Sequence, residues 1–283
     1  MNDRFPPATW RLLFEPHPKP GALNMATDEA VLRAVVAGEA PPTLRLYGWS
    51  PPTLTLGRGQ PYADADVAAL ERDGIALVRR MTGGTAVLNR DELTYSIATT
   101  DREPRFSGTV AESYRAISAA LLRTLRPLGL TTAEATAHVG RAVSPTPAAG
   151  GRQGRERTPV CFEIPSDYEV TVGGRKLVGN SQMRVRGGIL QHGSLPLAGD
   201  IGAISAYLTV RPDPARIRAV ALTLQDALGR AVTWMEVAEP LLAAFGEMLN
   251  LTLVESPLTQ GERRHVERLL VEKYDNPDWN ERL

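Results

Sequence analysis

Apolar and polar positions recur along this chain with two periods. From Thr109 to Leu128, the residues Val110, Tyr114, Ile117, Leu121, Leu125 and Leu128 recur at steps of three and four. That is the repeat of one helical face. Thr109 and Glu112 open this helix as a capping-box pair, and Thr233/Glu236 and Thr259/Glu262 repeat the signature ahead of helices expected over 234–250 and 262–274. Another helix is expected over 24–37 with Asn24 as its cap, and a short one over 64–73. Short β-like runs fall at 9–14, 44–49, 53–56, 75–80, 85–88 and 93–99.

Residues 133–158 have no apolar period and are rich in Ala, Gly, Pro and Arg, which predicts a long mobile surface loop. Beyond it, runs at 168–172, 175–186 and 189–197 are separated by Gly173-Gly174 and Gly187-Gly188. Gly pairs between β-like runs mark tight hairpins, because such turns need positive φ. The expected fold class is α+β, with helices packed on a mixed or antiparallel sheet. A single domain is expected over 1–283, with its core at about 40–250, the mobile loop inside it and a C-terminal helix over 262–274.

Composition narrows the function. The formal net charge is zero, so charge gives no support to a nucleic-acid or membrane-surface role. No apolar run approaches the roughly 20 residues of a membrane helix, and Met1 to Pro7 lacks the layout of a signal peptide. Cys161 is the only cysteine, which excludes an intrachain disulfide, and the scattered histidines show no metal-site spacing. A cytoplasmic protein without metal or cofactor is expected. Of 32 basic residues only Lys19, Lys176 and Lys273 are lysines. A lysine kept inside a motif is then suited to a task that arginine performs poorly.

Four features carry candidate chemistry. Arg79-Arg80-Met81-Thr82-Gly83-Gly84-Thr85 joins two β-like runs. Its glycines allow close approach to a ligand, and its arginines could meet a phosphate or carboxylate; the alternative is an ordinary hairpin with solvated arginines. Lys176 follows a tight turn in Gly174-Arg175-Lys176-Leu177-Val178-Gly179-Asn180-Ser181-Gln182, where Gly179 and Ser181 leave room above the strand. Cys161, in Pro159-Val160-Cys161-Phe162, follows the loop and precedes the strand pair that carries Lys176. Free cysteines are more often buried and inert. His192, in Gln191-His192-Gly193-Ser194, is a further candidate, and a lone histidine is more often structural.

Taken in order, the Arg-Arg-x-x-Gly-Gly, Gly-Arg-Lys-x-x-Gly-x-x-Gln and Gln-His-Gly-Ser stretches, with Lys273-Tyr274 and Trp279-Asn280 near the end, resemble the lipoate-protein ligase/octanoyltransferase group of the biotin ligase superfamily. The resemblance runs from about Trp10 to Trp279. The stretch Cys161-Phe162-Glu163-Ile164-Pro165-Ser166-Asp167-Tyr168-Glu169 is similar to that of the octanoyltransferases of Bacillus-type bacteria. The resemblance implies a biotin/lipoate ligase-like catalytic domain in which Cys161 is acylated and Lys176 lowers its pKa. It further implies an acyl carrier protein as octanoyl donor, and a lipoyl-domain protein such as glycine-cleavage H protein as acceptor. Arg79, Gly83, Gly84, Thr85, Val178, Gly179, Ser181 and His192 are the expected substrate-binding residues, and Arg79, Arg80, Arg184 and Arg186 the expected docking charges. Thr85 and Asn89-Arg90 depart from the glycine and His-Asp common in ATP-dependent ligases, which favours a thioester donor. The alternatives are an ATP-dependent ligase, an amidotransferase between lipoyl domains, or a binding module without turnover.

Overall fold

A computed structural model describes residues 4–131, 135–137 and 170–283. Cys161 and most of the segment expected to be a mobile loop lie outside the described residues; within that segment, Ala135–Ala137 form a short strand, β7. The larger sheet has eight strands, in the order β11 (Leu251–Glu255), β1 (Ala8–Phe14), β2 (Thr43–Tyr47), β6 (Glu92–Thr100), β10 (Gly188–Pro196), β9 (Arg175–Val185), β8 (Val170–Val172) and β7. β1 runs parallel to β2 and β11, and the other pairings are antiparallel, so the sheet is mixed. A second sheet of three strands has β3 (Thr53–Leu56) between β4 (Ala76–Arg79) and β5 (Val87–Asn89).

Period-two alternation divides the large sheet into two chemically different faces. Leu93, Tyr95 and Ile97 of β6 join the main core with α3 (Val110–Leu125) and α6 (Trp234–Leu249). Burying Ile117, Leu121 and Leu125 of α3 there stabilises the fold by ~1.5–3 kcal/mol each. The opposite face carries Glu92, Thr94 and Ser96 of β6, with Ser194 and His192 of β10 directly across from the last two. Against that face packs α1 (Gly21–Val36), itself covered by α7 (Gln260–Leu269). Because α1 is buried nearly all round, each of its polar residues needs a partner inside the protein.

Several boundaries differ from the sequence expectation for identifiable reasons. α1 starts at Gly21, and Asn24 is a fully buried interior residue that donates to the Gly48 carbonyl at 3.0 Å. The capping boxes at Thr109, Thr233 and Thr259 are all present. The second hairpin turns at Arg186 and Gly187, both at positive φ, and Gly188 already belongs to β10. A Cβ at Gly188 would collide with Val36 of α1, so this glycine serves packing and not the turn. Among the described residues, no helix is long and apolar enough to cross a membrane.

Candidate active site

The polar face of the large sheet meets the small sheet across a narrow cavity of about 50 Å³. Met25, Tyr47, Trp49 and Val87 give it apolar walls, and Gly179 and His192 contribute from β9 and β10. Gly179 and Ser181 face the cavity because they pair with Ser194 and His192. Val178, one position out of phase, is packed into the main core, since neighbours on a strand cannot share a face.

His192 is the centre of a buried relay. Its Nδ1 lies 3.2 Å from Asp28 Oδ2, and its Nε2 lies 2.7 Å from the Thr82 hydroxyl. Asp28 also accepts from Arg45 at 2.8 Å, Ser96 at 2.7 Å and Tyr47 at 2.9 Å. Burial alone would raise the Asp28 pKa, but Arg45, His192 and Ser96 outweigh it and hold the carboxyl at about 2. In the neutral imidazole, an ionised Asp28 fixes the proton on Nδ1, and Nε2 then accepts from Thr82. Thr82 is fully buried, so this hydroxyl is out of reach of substrate and the relay serves to hold the loop.

That loop is residues 80–85. Arg80 donates to the carbonyls of Gly83 and Thr85, each at 2.8 Å, and Ser181 donates to Gly83 at 3.0 Å. The Arg58 amide donates to the Thr82 carbonyl at 2.9 Å. Gly57 has to be a glycine, because a Cβ there would run into the Gly84 carbonyl. The carbonyls are thus drawn into the protein. Among the described residues, nothing accepts from the amides of Gly83 and Gly84, and the Thr85 hydroxyl is buried without a partner.

Arg80 and Asn89 also border the cavity, and the remaining expected residues lie elsewhere. Arg79 is fully buried and donates to the carbonyls of Gly57 and Asn280 at 2.9 Å, Trp279 at 3.1 Å and Arg282 at 2.9 Å. Its guanidinium joins segments of the fold and does not reach the cavity. Arg80 is also buried, and Arg184 donates to the Gly108 carbonyl at 2.7 Å and to Ser113 at 3.2 Å. Arg186 is exposed at the hairpin turn. Lys176 is buried on β9, next to a bulge, and its carbonyl accepts from Leu222 at 3.0 Å. Asn89 donates to the Thr53 carbonyl and to Thr55, both at 3.1 Å, within the small sheet.

Sequence reasoning missed Asp28 and Glu92. Glu92 is buried beside the cavity and accepts from Ser194 at 2.8 Å and from Thr94, which in turn accepts from Trp49 Nε1 at 2.7 Å. Burial pushes its carboxyl up to about 7 against these hydrogen bonds. The signal for Asp28 was an adjacent acid pair, Asp28-Glu29, inside an otherwise Ala-, Val- and Leu-rich helix.

Comparison with known proteins agrees with this architecture. A family model described as the lipoyl protein ligase A/B catalytic domain matches residues 20–246. The chain is 44% identical to the octanoyltransferase LipM of Kyrpidia tusciae, over 97% of this chain and 99% of that protein. It is 39% identical to the octanoyltransferase LipM of Symbiobacterium thermophilum, over 96% and 98%. A crystal structure of lipoate-protein ligase A bound with ATP superposes with a TM-score of 0.77 at 25% identity, over 96% of this chain and 98% of that one.

Proposed function

The chain belongs to the lipoyl protein ligase A/B catalytic family, and on that premise we propose that it moves octanoyl from acyl carrier protein, through a thioester on Cys161, to a lysine of a lipoyl-domain protein such as glycine-cleavage H protein. It is an acyltransferase of lipoate biosynthesis. The observation that carries the reading is the apolar-walled cavity bordered by Arg80 and Ser181, the two side chains that brace the Gly83-Gly84 loop. Apolar walls suit an acyl chain, and the two unclaimed amides of the neighbouring loop suit a carbonyl oxygen.

The first step forms a bond from Cys161 Sγ to the donor's thioester carbonyl and expels the carrier thiolate, which takes up a proton. The acceptor lysine, as a neutral amine, then attacks the new thioester. Cys161 leaves as thiolate and the amine gives up its proton. The thiolate is the reactive form, and a free cysteine is mostly protonated at neutral pH. Lys176 raises the thiolate fraction, because a buried ammonium is strongly attracted to an opposite charge. An amide is more stable than a thioester, so the transfer needs no ATP. Asn89 and Thr85 belong to this reading, since they stand where ATP-dependent relatives carry other residues. The H-protein acceptor and the acyl carrier donor follow from the resemblance of the Cys161 and Lys176 stretches.

Intact-mass spectrometry tests the reading. Donor alone should leave one octanoyl group on the enzyme, labile to hydroxylamine and discharged by acceptor protein, and Cys161→Ala should form no adduct. Transfer by Cys161→Ala at near the wild-type rate would overturn the covalent route.

A further inference from the structure

Arg58 and Arg282 flank a second, more open cavity of about 540 Å³ that also borders Met81, Gly83, Met183 and Leu283. Among the described residues, arginine ion pairs go to Glu262, Glu15, Asp28, Glu103 and other acids, and none involves Arg58 or Arg282. Arg282 stacks on the Trp279 ring at 3.6 Å and donates once, to the Arg58 carbonyl at 3.2 Å. Its Nε is buried without a partner. Arg58 makes only a 3.9 Å contact to Met183 Sδ. The two cations act on one another, since Arg58 contributes, after burial, to lowering the Arg282 pKa. Arg79, which donates to the Arg282 carbonyl at 2.9 Å, adds to the positive field at Arg282.

This arrangement differs from that of Arg45, Arg11 and Arg79. Arg45 and Arg11 are buried with carboxylates, and Arg79 is enclosed by carbonyls. Arg58 and Arg282 together face an open cavity with unfilled donors, in a protein whose formal net charge is zero. Guanidinium pairs recognise phosphate and carboxylate by fork geometry and charge. The cavity borders Gly83, whose carbonyl is held by Ser181 of the apolar cavity's wall, so the two cavities flank the same loop. The pantetheine arm of a carrier protein is neutral along its length except for the phosphodiester that joins it to the carrier.

We propose that the Arg58–Arg282 cavity is an anion subsite that seats the phosphate of the donor's pantetheine arm. The proposal rests on the reading of the donor as a carrier-bound thioester. It assigns donor recognition to a pair of residues that the sequence motifs did not single out.

The test compares octanoyl-4′-phosphopantetheine with octanoyl-pantetheine as donors, in the wild type, Arg58→Ala and Arg58→Lys. Calorimetric titration with unacylated 4′-phosphopantetheine, pantetheine and ATP runs in parallel. The wild type should prefer the phosphorylated donor about tenfold in kcat/KM, most of it in KM. That preference should fall to near unity in Arg58→Ala and return in part in Arg58→Lys. No preference in the wild type, or the same preference in Arg58→Ala, overturns the proposal. So does ATP binding that is tighter than phosphopantetheine and equally dependent on Arg58, since the subsite would then belong to a nucleotide. If neither donor is turned over but phosphopantetheine binds in an Arg58-dependent way, the donor reading fails and the anion subsite stands.

Discussion

Asp28 and Glu92 are both buried against the polar face of the same sheet, yet they hold their protons oppositely. Asp28 is ionised down to a pKa of about 2, and Glu92 keeps its proton up to about 7. Burial works against ionisation in both. The difference is a cation. Asp28 has Arg45 at 2.8 Å and the His192 ring at 3.2 Å, whereas the hydrogen bonds to Glu92 come from the uncharged Ser194 and Thr94. Hydroxyl donors alone do not repay the loss of water around a carboxylate. One side of the site is therefore a fixed ionic frame that positions the loop. The other is a neutral, polar lining beside the cavity.

The comparison is broken most sharply by removing the cation. Arg45→Met leaves Asp28 and Glu15 without their buried partner and should cost ~3–5 kcal/mol in urea unfolding. A loss under 1 kcal/mol would mean that Asp28 does not depend on Arg45. A smaller effect follows from pH. Glu92 has a raised native pKa, so the stability it adds as a neutral group is complete below its ordinary value of 4.5 and is lost as pH rises through about 7. The loss is on the order of 3 kcal/mol. Glu92→Gln should flatten the stability profile between pH 4.5 and about 7. Asp28 acts in the reverse sense: its contribution is present above 3.8 and is lost as pH falls through about 2. The mildest change is Ser194→Ala, which removes one hydrogen bond to Glu92. It should cost ~1 kcal/mol and move the midpoint of the pH profile upward. A downward move would show that Ser194 favours the neutral carboxyl.

Much of this frame was legible in the sequence, and the limits were physical. Helix α3 and the capping boxes were readable because their signals are local. β11, β7, α4 (Pro214–Val220), α5 (Leu224–Leu228) and α8 (Pro277–Asn280) were not, being short elements held by partners distant in sequence. The second Gly pair marked its hairpin but not its turn, because one glycine was kept for contact with α1. In the site, the Gly83-Gly84 loop, Gly179, Ser181 and His192 were identifiable from motifs. Whether an arginine is a ligand or a strut was not. Arg79 and Arg80 look alike on paper, and only the tertiary contacts separate Arg79, surrounded by carbonyls of 57–60 and 279–282, from the unanswered Arg58. Asp28 and Arg45 are 17 positions apart, a pairing that only the packing of α1 on β2 reveals.

The seating of Arg79 also has a bearing on the order in which the molecule assembles. Its carbonyl partners include Gly57 and, about 200 positions later, Asn280 and Arg282. Contacts of such separation are slow to form, because the intervening chain must be organised before its ends can meet. The small sheet can pair early, but its β4 edge stays unfinished until the segment around Trp279 arrives and closes over it. Folding intermediates of this protein should therefore carry a formed helical core and an immature candidate site, with activity as the last property to appear in a refolding time course.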